Sequence, residues 1–218
     1  MPLAGVRKLE AVSIHADEAS RFLHAELQQH PTLAQITANM QVLSQTLLCM
    51  IRRHLGEDVT PVLVMRGGIL MWNAMSVCFP ASPAGVIVPA RVGHIRSAPR
   101  IVYGNVPGVR TGTTYLLLDP IINSGSTIVS TLQAIRRHVG ITDHIAVAAI
   151  YSTSLGSAAI HAEDPDVHIY TMWADMKCGP DLRLTGVDFD GGDAAFGGGT
   201  RRHQWARGVD DNDVVREN

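Results

Sequence analysis

Apolar residues follow two regimes along the chain. Between residues 17 and 55, Leu33, Ile36, Met40, Leu43, Leu47, Met50 and Ile51 recur mainly at three- and four-residue steps. That spacing puts them on one face of a helix. Thr32 is placed to cap this helix and Gly56 to end it. Pro31 separates it from a shorter helix over 17–30. The stripe admits two uses, a dimer face or the cover of a sheet, and the cover is the default. From Pro61 onward short apolar runs alternate with helical stretches. Strands are predicted at 61–65, 84–89, 114–118, 145–151 and 167–173, with a turn at Arg66-Gly67-Gly68. Helices are predicted over 69–78, over 155–161, and from about Ser126 to Val139, where Ile128, Leu132, Ile135 and Val139 share a face before Gly140. Strands alternating with helices predict right-handed crossovers: an α/β fold with a mainly parallel, twisted sheet flanked by helices.

Neither repeats nor a clear linker divide the chain. The expected organisation is a helical segment over 1–59 packed on a core over 60–200, then a polar tail over 201–218. Residues 174–200, rich in Gly and Asp, read as a long functional loop. The tail starts basic (Arg201, Arg202, Arg207) and ends acidic (Asp210, Asp211, Asp213), as a solvated, partly mobile end does.

Composition narrows the functions. The 218 residues are 46% apolar and 17% charged, which excludes a disordered or fibrous chain. A net charge of −2 supplies no field for nucleic acid or an anionic membrane, so neither is expected as a partner. No apolar run approaches the roughly 18 residues of a membrane span. The first residues lack the apolar core of a secretory leader. Cys49, Cys78 and Cys178 form no C-x-x-C pair, so they are expected as small buried side chains in a protein of the reducing cytoplasm. Lys8 and Lys177 are the only lysines, which leaves no G-x-x-x-x-G-K-[ST] phosphate loop. The acidic run Asp188-Phe-Asp190-Gly-Gly-Asp193 does not fit a calcium-binding EF-hand loop, since Gly192 stands at the third ligand position and Gly199 in place of the Glu at loop position twelve. The histidines show no metal-ligand spacing, and no metal site is assigned.

The segment that carries chemistry is Tyr115-Leu-Leu-Leu-Asp119-Pro120-Ile121-Ile122-Asn123-Ser124-Gly125-Ser126-Thr127. A buried strand ends in a carboxylate, turns through small polar residues and enters a helix. Ligands of open α/β sheets bind at the carboxyl ends of strands. Backbone N–H groups, three hydroxyls and the positive end of a helix dipole suit a phosphate. Asp119 beside them suits a sugar diol or a magnesium ion. The same pattern also describes a plain capped helix after a buried strand.

This segment resembles the phosphoribosyl diphosphate (PRPP) loop of type I phosphoribosyltransferases, and Pro120 after the acid is similar to the uracil phosphoribosyltransferases. Four further segments agree in order. Val62-Leu-Val-Met-Arg66-Gly67-Gly68 resembles that family's strand and diphosphate loop. Arg91-Val-Gly-His94-Ile resembles the start of its flexible hairpin, and Asp164-Pro-Asp166-Val-His-Ile-Tyr170-Thr its late strand. Asp190-Gly191-Gly192-Asp193-Ala-Ala-Phe196-Gly197 resembles its C-terminal base-binding stretch. The resemblance covers roughly residues 60–197. Residues 1–59 and 182–189 depart from the family pattern, and Asn123 and Ser126 replace its small residue and second glycine.

The resemblance implies a phosphoribosyltransferase fold with a C-terminal base-binding hood at 174–200. It implies displacement of diphosphate from C1 of PRPP by a ring nitrogen of uracil, giving UMP. It gives catalytic roles to Arg66, Asp119 and Asp190. PRPP binding falls to these three with Gly67, Arg96 and residues 120–127, and the hairpin-tip arginine is Arg96 or Arg100. Base binding falls to Arg183, Phe189, Asp190 and Gly191. Magnesium is expected to arrive with PRPP, and a homodimer is expected. Two alternatives stand beside uracil transfer: the same chemistry on another heterocyclic base, which the altered 182–189 stretch motivates, and a nucleotide sensor without turnover.

Overall fold

The first helix, α1 (Glu18–Leu27), begins at Asp17, whose carboxylate accepts the Ser20 amide at 2.7 Å. The second, α2 (Leu33–Leu55), begins at Thr32 in a capping box with Gln35 and ends at Gly56, at φ +81°. Reciprocal caps satisfy amides that the helix itself leaves without partners. Ile36, Met40, Leu43, Leu47, Leu48 and Ile51 of α2 are buried in the core. The stripe therefore covers the sheet and is not a dimer face.

A computed structural model of the chain describes residues 12–13, 16–91, 98–140, 144–179, 184–187 and 189. Its strands are β1 (Val12–Ser13), β2 (Val59–Val64), β3 (Gly85–Ala90), β4 (Arg100–Asn105), β5 (Thr114–Leu118), β6 (Ile121–Ile122), β7 (Ile145–Thr153) and β8 (His168–Met176). They form one sheet in the order β1-β8-β7-β5-β2-β3-β4, with β6 also paired to β7. Every pairing is parallel except β3 with β4. Three more helices complete the layers: α3 (Trp72–Cys78), α4 (Ser126–Val139) and α5 (Ser154–Glu163).

The sheet is covered on both faces, which is why β2 and β7 are buried at every position rather than at alternate ones. Side chains still alternate between the two layers. Leu116 and Leu118 of β5 join the core under α2 and α3, whereas Tyr115 and Leu117 join the core with Ile128, Leu132 and Ile135 of α4.

Tertiary pairing extends several elements beyond their sequence patterns. The segment before residue 60 is not helical throughout, because β1 adds a parallel edge strand to β8. The helix expected over 69–78 starts as a 3₁₀ turn, Gly67–Met71. The late strand runs on to Met176, into the stretch read as loop. Strand β4 was hidden in the hairpin region and is held by antiparallel pairing to β3. Cys78 is buried, Cys49 and Cys178 are half-buried, and none of the three is in a disulfide. The Cys49 and Cys78 sulfurs meet at 2.9 Å, and burial, then the neighbouring thiol, pushes Cys78 up to about 12. No helix among the described residues is long and apolar enough to cross a membrane.

Candidate active site

Three loops converge at the carboxyl edge of the sheet. The first leaves β5 through Asp119. Its backbone is locked to β7: the Asp119 amide donates to the Ala148 carbonyl, and the Pro120 carbonyl accepts the Ile150 and Tyr151 amides at 2.9 and 3.1 Å. Ile121 and Ile122 then pair with Tyr151 and Ser152 as β6. The Asn123 carbonyl accepts the Thr153 hydroxyl. Gly125, at φ +76°, turns the chain into α4, whose first residue is Ser126, as the sequence pattern predicts. A β-carbon on Gly125 would stand 2.5 Å from the Gly156 carbonyl oxygen, and one on Gly156 only 2.4 Å from that of Asn123. Glycine is required at both, since two backbones meet there with no room for a side chain.

The second loop follows β2. A cis peptide joins Met65 to Arg66, and the 3₁₀ turn begins directly after it. A β-carbon on Gly67 would lie 3.3 Å from Asp119 Oδ1 and Pro120 Cδ, and one on Gly68 2.6 Å from the Leu118 carbonyl oxygen. The two glycines thus let the Arg66 turn lie directly against the Asp119 carboxylate. Arg66 and Asp119 are both half-buried.

The third contribution comes from the end of β3. Arg91 Nη2 donates to the Ser126 hydroxyl at 2.8 Å and reaches that of Thr127 at 3.4 Å, while Ser124 and Ser126 hydroxyls are 3.0 Å apart. Arg91 as a whole is exposed, but burial of its guanidinium end lowers its pKa from the usual arginine value. A guanidinium, three hydroxyls and the N-terminus of a 14-residue helix now surround one point, a strong setting for a phosphate. Sequence reasoning noticed the segment at Arg91 without assigning that residue a role. The contact spans 35 positions, so no local pattern reports it.

Of the remaining predicted residues, Phe189 is half-buried and packs on the core that also receives Ile121, Trp173 and Met176. The flank of the expected hood is anchored by a bridge from Cys178 to Leu184 and by the Thr185 amide on the Lys177 carbonyl at 2.8 Å. Arg100 is the first residue of β4, opposite Ala90, and so sits on the strand. Arg96, Arg183, Asp190 and Gly191 lie outside the described residues. Beside this edge, His24 of α1 stacks on Trp173 at 4.5 Å, with its Nδ1 2.9 Å from the Tyr151 hydroxyl. Burial lowers the His24 pKa and raises that of Tyr151, so both stay neutral around pH 7. Nothing in the sequence pairs a helix at residue 24 with the end of β7. Among the described residues no three His, Cys, Asp or Glu side chains gather to hold a metal ion.

The chain is similar to known proteins over most of its length. A family model described as uracil phosphoribosyltransferase matches residues 8–197. The uracil phosphoribosyltransferase of Lactobacillus delbrueckii subsp. bulgaricus is 29% identical over 142 residues, 65% of this chain and 66% of that protein. That of Thermococcus kodakarensis is 23% identical over 141 residues, 65% of this chain and 61% of that protein. The match thus spans just under two thirds of the length of these curated relatives. Among solved structures, the AQ2163 protein from Aquifex aeolicus is similar in fold, with a TM-score of 0.75 at 14% identity, covering 87% of this chain and 100% of that one.

Proposed function

Because the chain belongs to the uracil phosphoribosyltransferase family, we propose that it transfers the phosphoribosyl group of PRPP to a ring nitrogen of uracil, giving UMP and diphosphate. The observation that carries this reading is the meeting of the Arg66-Gly67 turn with Asp119, beside a phosphate cradle at Ser124–Thr127. Diphosphate, ribose and 5′-phosphate are three parts of one substrate, and the three loops offer one matching group each.

Displacement at C1 passes through a sugar centre with cationic character, so the protein needs no nucleophile of its own. It has to hold both reactants in line and stabilise the leaving group. Arg66 forks onto diphosphate oxygens, assisted by the Gly67 and Gly68 amides. Asp119 accepts the ribose hydroxyls. Ser124, Gly125, Ser126, Thr127 and Arg91 take the 5′-phosphate. Phe189, with Arg183, Asp190 and Gly191, serves the base. Magnesium would come bound to the diphosphate, and Asp119 with phosphate oxygens and water would be a donor set that suits it. The cytoplasm is the compartment in keeping with three cysteines outside any disulfide. A homodimer is part of the proposal; since the α2 stripe is spent in the core, the exposed Val102 and Tyr103 of β4 are the surface that supports it.

A second reading keeps PRPP and changes the base. The departure of residues 182–189 from the family pattern motivates it. The test is diphosphate release from PRPP and magnesium, with uracil and a panel of other bases supplied separately. Release with uracil bears out the first reading. Release only with another base moves the assignment to the second. Nucleotide binding without release from any base sinks both and leaves a sensor.

In the active protein, Arg91→Ala is expected to raise the KM for PRPP by about 10- to 100-fold, the scale of losing a charge-assisted hydrogen bond. The KM for the base should stay within about twofold. Steady-state kinetics with each substrate varied in turn checks both.

A further inference from the structure

Away from the candidate active site, two cysteines meet where α2 packs on α3. Cys49 lies on α2, and Cys78 is the last residue of α3. Their sulfurs stand 2.9 Å apart, although 29 positions separate them in the chain. The Cys78 thiol also donates to the Gln45 carbonyl of α2 at 3.8 Å. That bond uses the Cys78 proton and leaves the sulfur lone pairs to face Cys49.

Solvent reaches this contact from two sides. Cys49 is half-buried. Cys78 is buried as a residue, but it lines a cavity of about 420 Å³ together with Arg52, Glu57, Phe79 and Arg110. Val59, the first residue of β2, lines the same cavity, so it opens at the amino edge of the sheet, opposite Asp119. The two thiols are unequal. Burial, then the neighbouring Cys49 thiol, keeps Cys78 protonated at neutral pH, and a protonated thiol is a poor nucleophile. Arg52 acts in the opposite sense and favours a thiolate at Cys78 once a partner is ready for it. The more exposed Cys49 is therefore the thiol that meets an oxidant first.

We propose that Cys49 and Cys78 are a redox pair, which a hydroperoxide converts to a disulfide and a small thiol restores. In the first step the Cys49 sulfur attacks the peroxide O–O bond. It is oxidised by two electrons to a sulfenic acid, and the peroxide leaves as water or an alcohol. In the second step the Cys78 sulfur attacks the Cys49 sulfur. The S–S bond forms, the S–O bond breaks, and the hydroxyl leaves as water with the Cys78 proton. The bond ties α3 to α2. The chain passes from Arg66 through the 3₁₀ turn directly into α3, so the tie also braces the stretch that begins at the Arg66 turn. A reducing cytoplasm holds the pair as thiols until peroxide rises. The pair acts whichever base the protein uses.

The experiment treats the full chain with hydrogen peroxide, alkylates the remaining thiols, digests without reductant and weighs the peptides. Peptides joined through Cys49 and Cys78, two hydrogens lighter than the separate pair, are expected, and dithiothreitol should part them. Cys178 should stay outside the bond. The oxidised protein should melt about 5–15 °C above the reduced one, because the closed loop removes freedom from the unfolded chain. In Cys78→Ser, Cys49 lacks its partner and should accumulate as a sulfenic acid that dimedone traps. In Cys49→Ser, Cys78 should remain a thiol at the same dose of peroxide. That variant carries the comparison alone if serine at the buried position 78 prevents folding. A bond from Cys178 to either cysteine would overturn the proposal, as would separate oxidation of Cys49 and Cys78 to sulfinic acids. Thiols that peroxide leaves unchanged would overturn it too, and so would a linked protein that melts no higher than the reduced one.

Discussion

Replacing Asp119 with asparagine is expected to lower turnover by about 10²-fold or more, the scale for removing one preorganised polar group from a reacting centre. The substitution is nearly isosteric, so the fold should persist. The backbone bonds of residues 119 and 120 to β7 do not involve the side chain, and Gly67 packs against an oxygen that asparagine retains. In the proposed reaction, what disappears is a negative charge beside a sugar that turns cationic as diphosphate leaves. Its acceptor strength toward two hydroxyls goes with it. A 10²-fold loss corresponds to about 2.7 kcal/mol of transition-state stabilisation. Steady-state diphosphate release, with a thermal melt as control, measures the effect. Unchanged turnover and PRPP affinity would remove Asp119 from the proposed reaction.

Gly125→Ala is the substitution expected to cost most in stability, about 2–4 kcal/mol, because two separate penalties fall on one methyl group. The residue sits at φ +76°, in the left-handed region that disfavours a side chain. Its β-carbon would also meet the Gly156 carbonyl oxygen at 2.5 Å and Ala159 Cβ at 3.1 Å. For a chain of this size that is a fall of about 5–15 °C in the thermal midpoint. Gly140 separates the two penalties. It has φ +75° and nothing within 4 Å of a β-carbon, so Gly140→Ala should lose only the backbone part, about 1–2 kcal/mol. Equal losses at the two positions would show that the contact with Gly156 contributes nothing. The Gly125 variant should also bind PRPP more weakly, since relief of the clash moves the amides at the start of α4.

Much of this architecture is legible in local patterns because local physics produces it. The helical stripe from Ile36 to Ile51 needs only the helical period. Thr32, Gln35, Gly56 and Gly140 act within a turn of their own position. The run from Tyr115 to Thr127 shows strand, acid, turn and helix in order, and a family resemblance, with no knowledge of what surrounds it. Two-residue strands such as β1 and β6 carry no period of their own. They exist because β8 offers an edge to β1, and β7 runs past the end of β5 and pairs there with β6. Arg100–Asn105 has the residues of a strand but only β3 makes it one.

The candidate site divides along the same line. Local pattern alone shows the chemistry on offer: a carboxylate, a hydroxyl-lined turn, an arginine before two glycines, and a resemblance to one family. Tertiary structure alone decided which of them meet. Arg91 reaches Ser126 across 35 positions, and His24 reaches Tyr151 across 127. The need for glycine at Gly125 and Gly156 comes from a crossing of two backbones that neither segment announces. Asn123 is the sharpest case. Its identity is plain in the sequence, but that its side-chain oxygen is buried with no partner among the described residues depends on everything packed around it. Backbone propensity and periodicity act over a few residues, whereas desolvation and hydrogen-bond satisfaction depend on every neighbour in space.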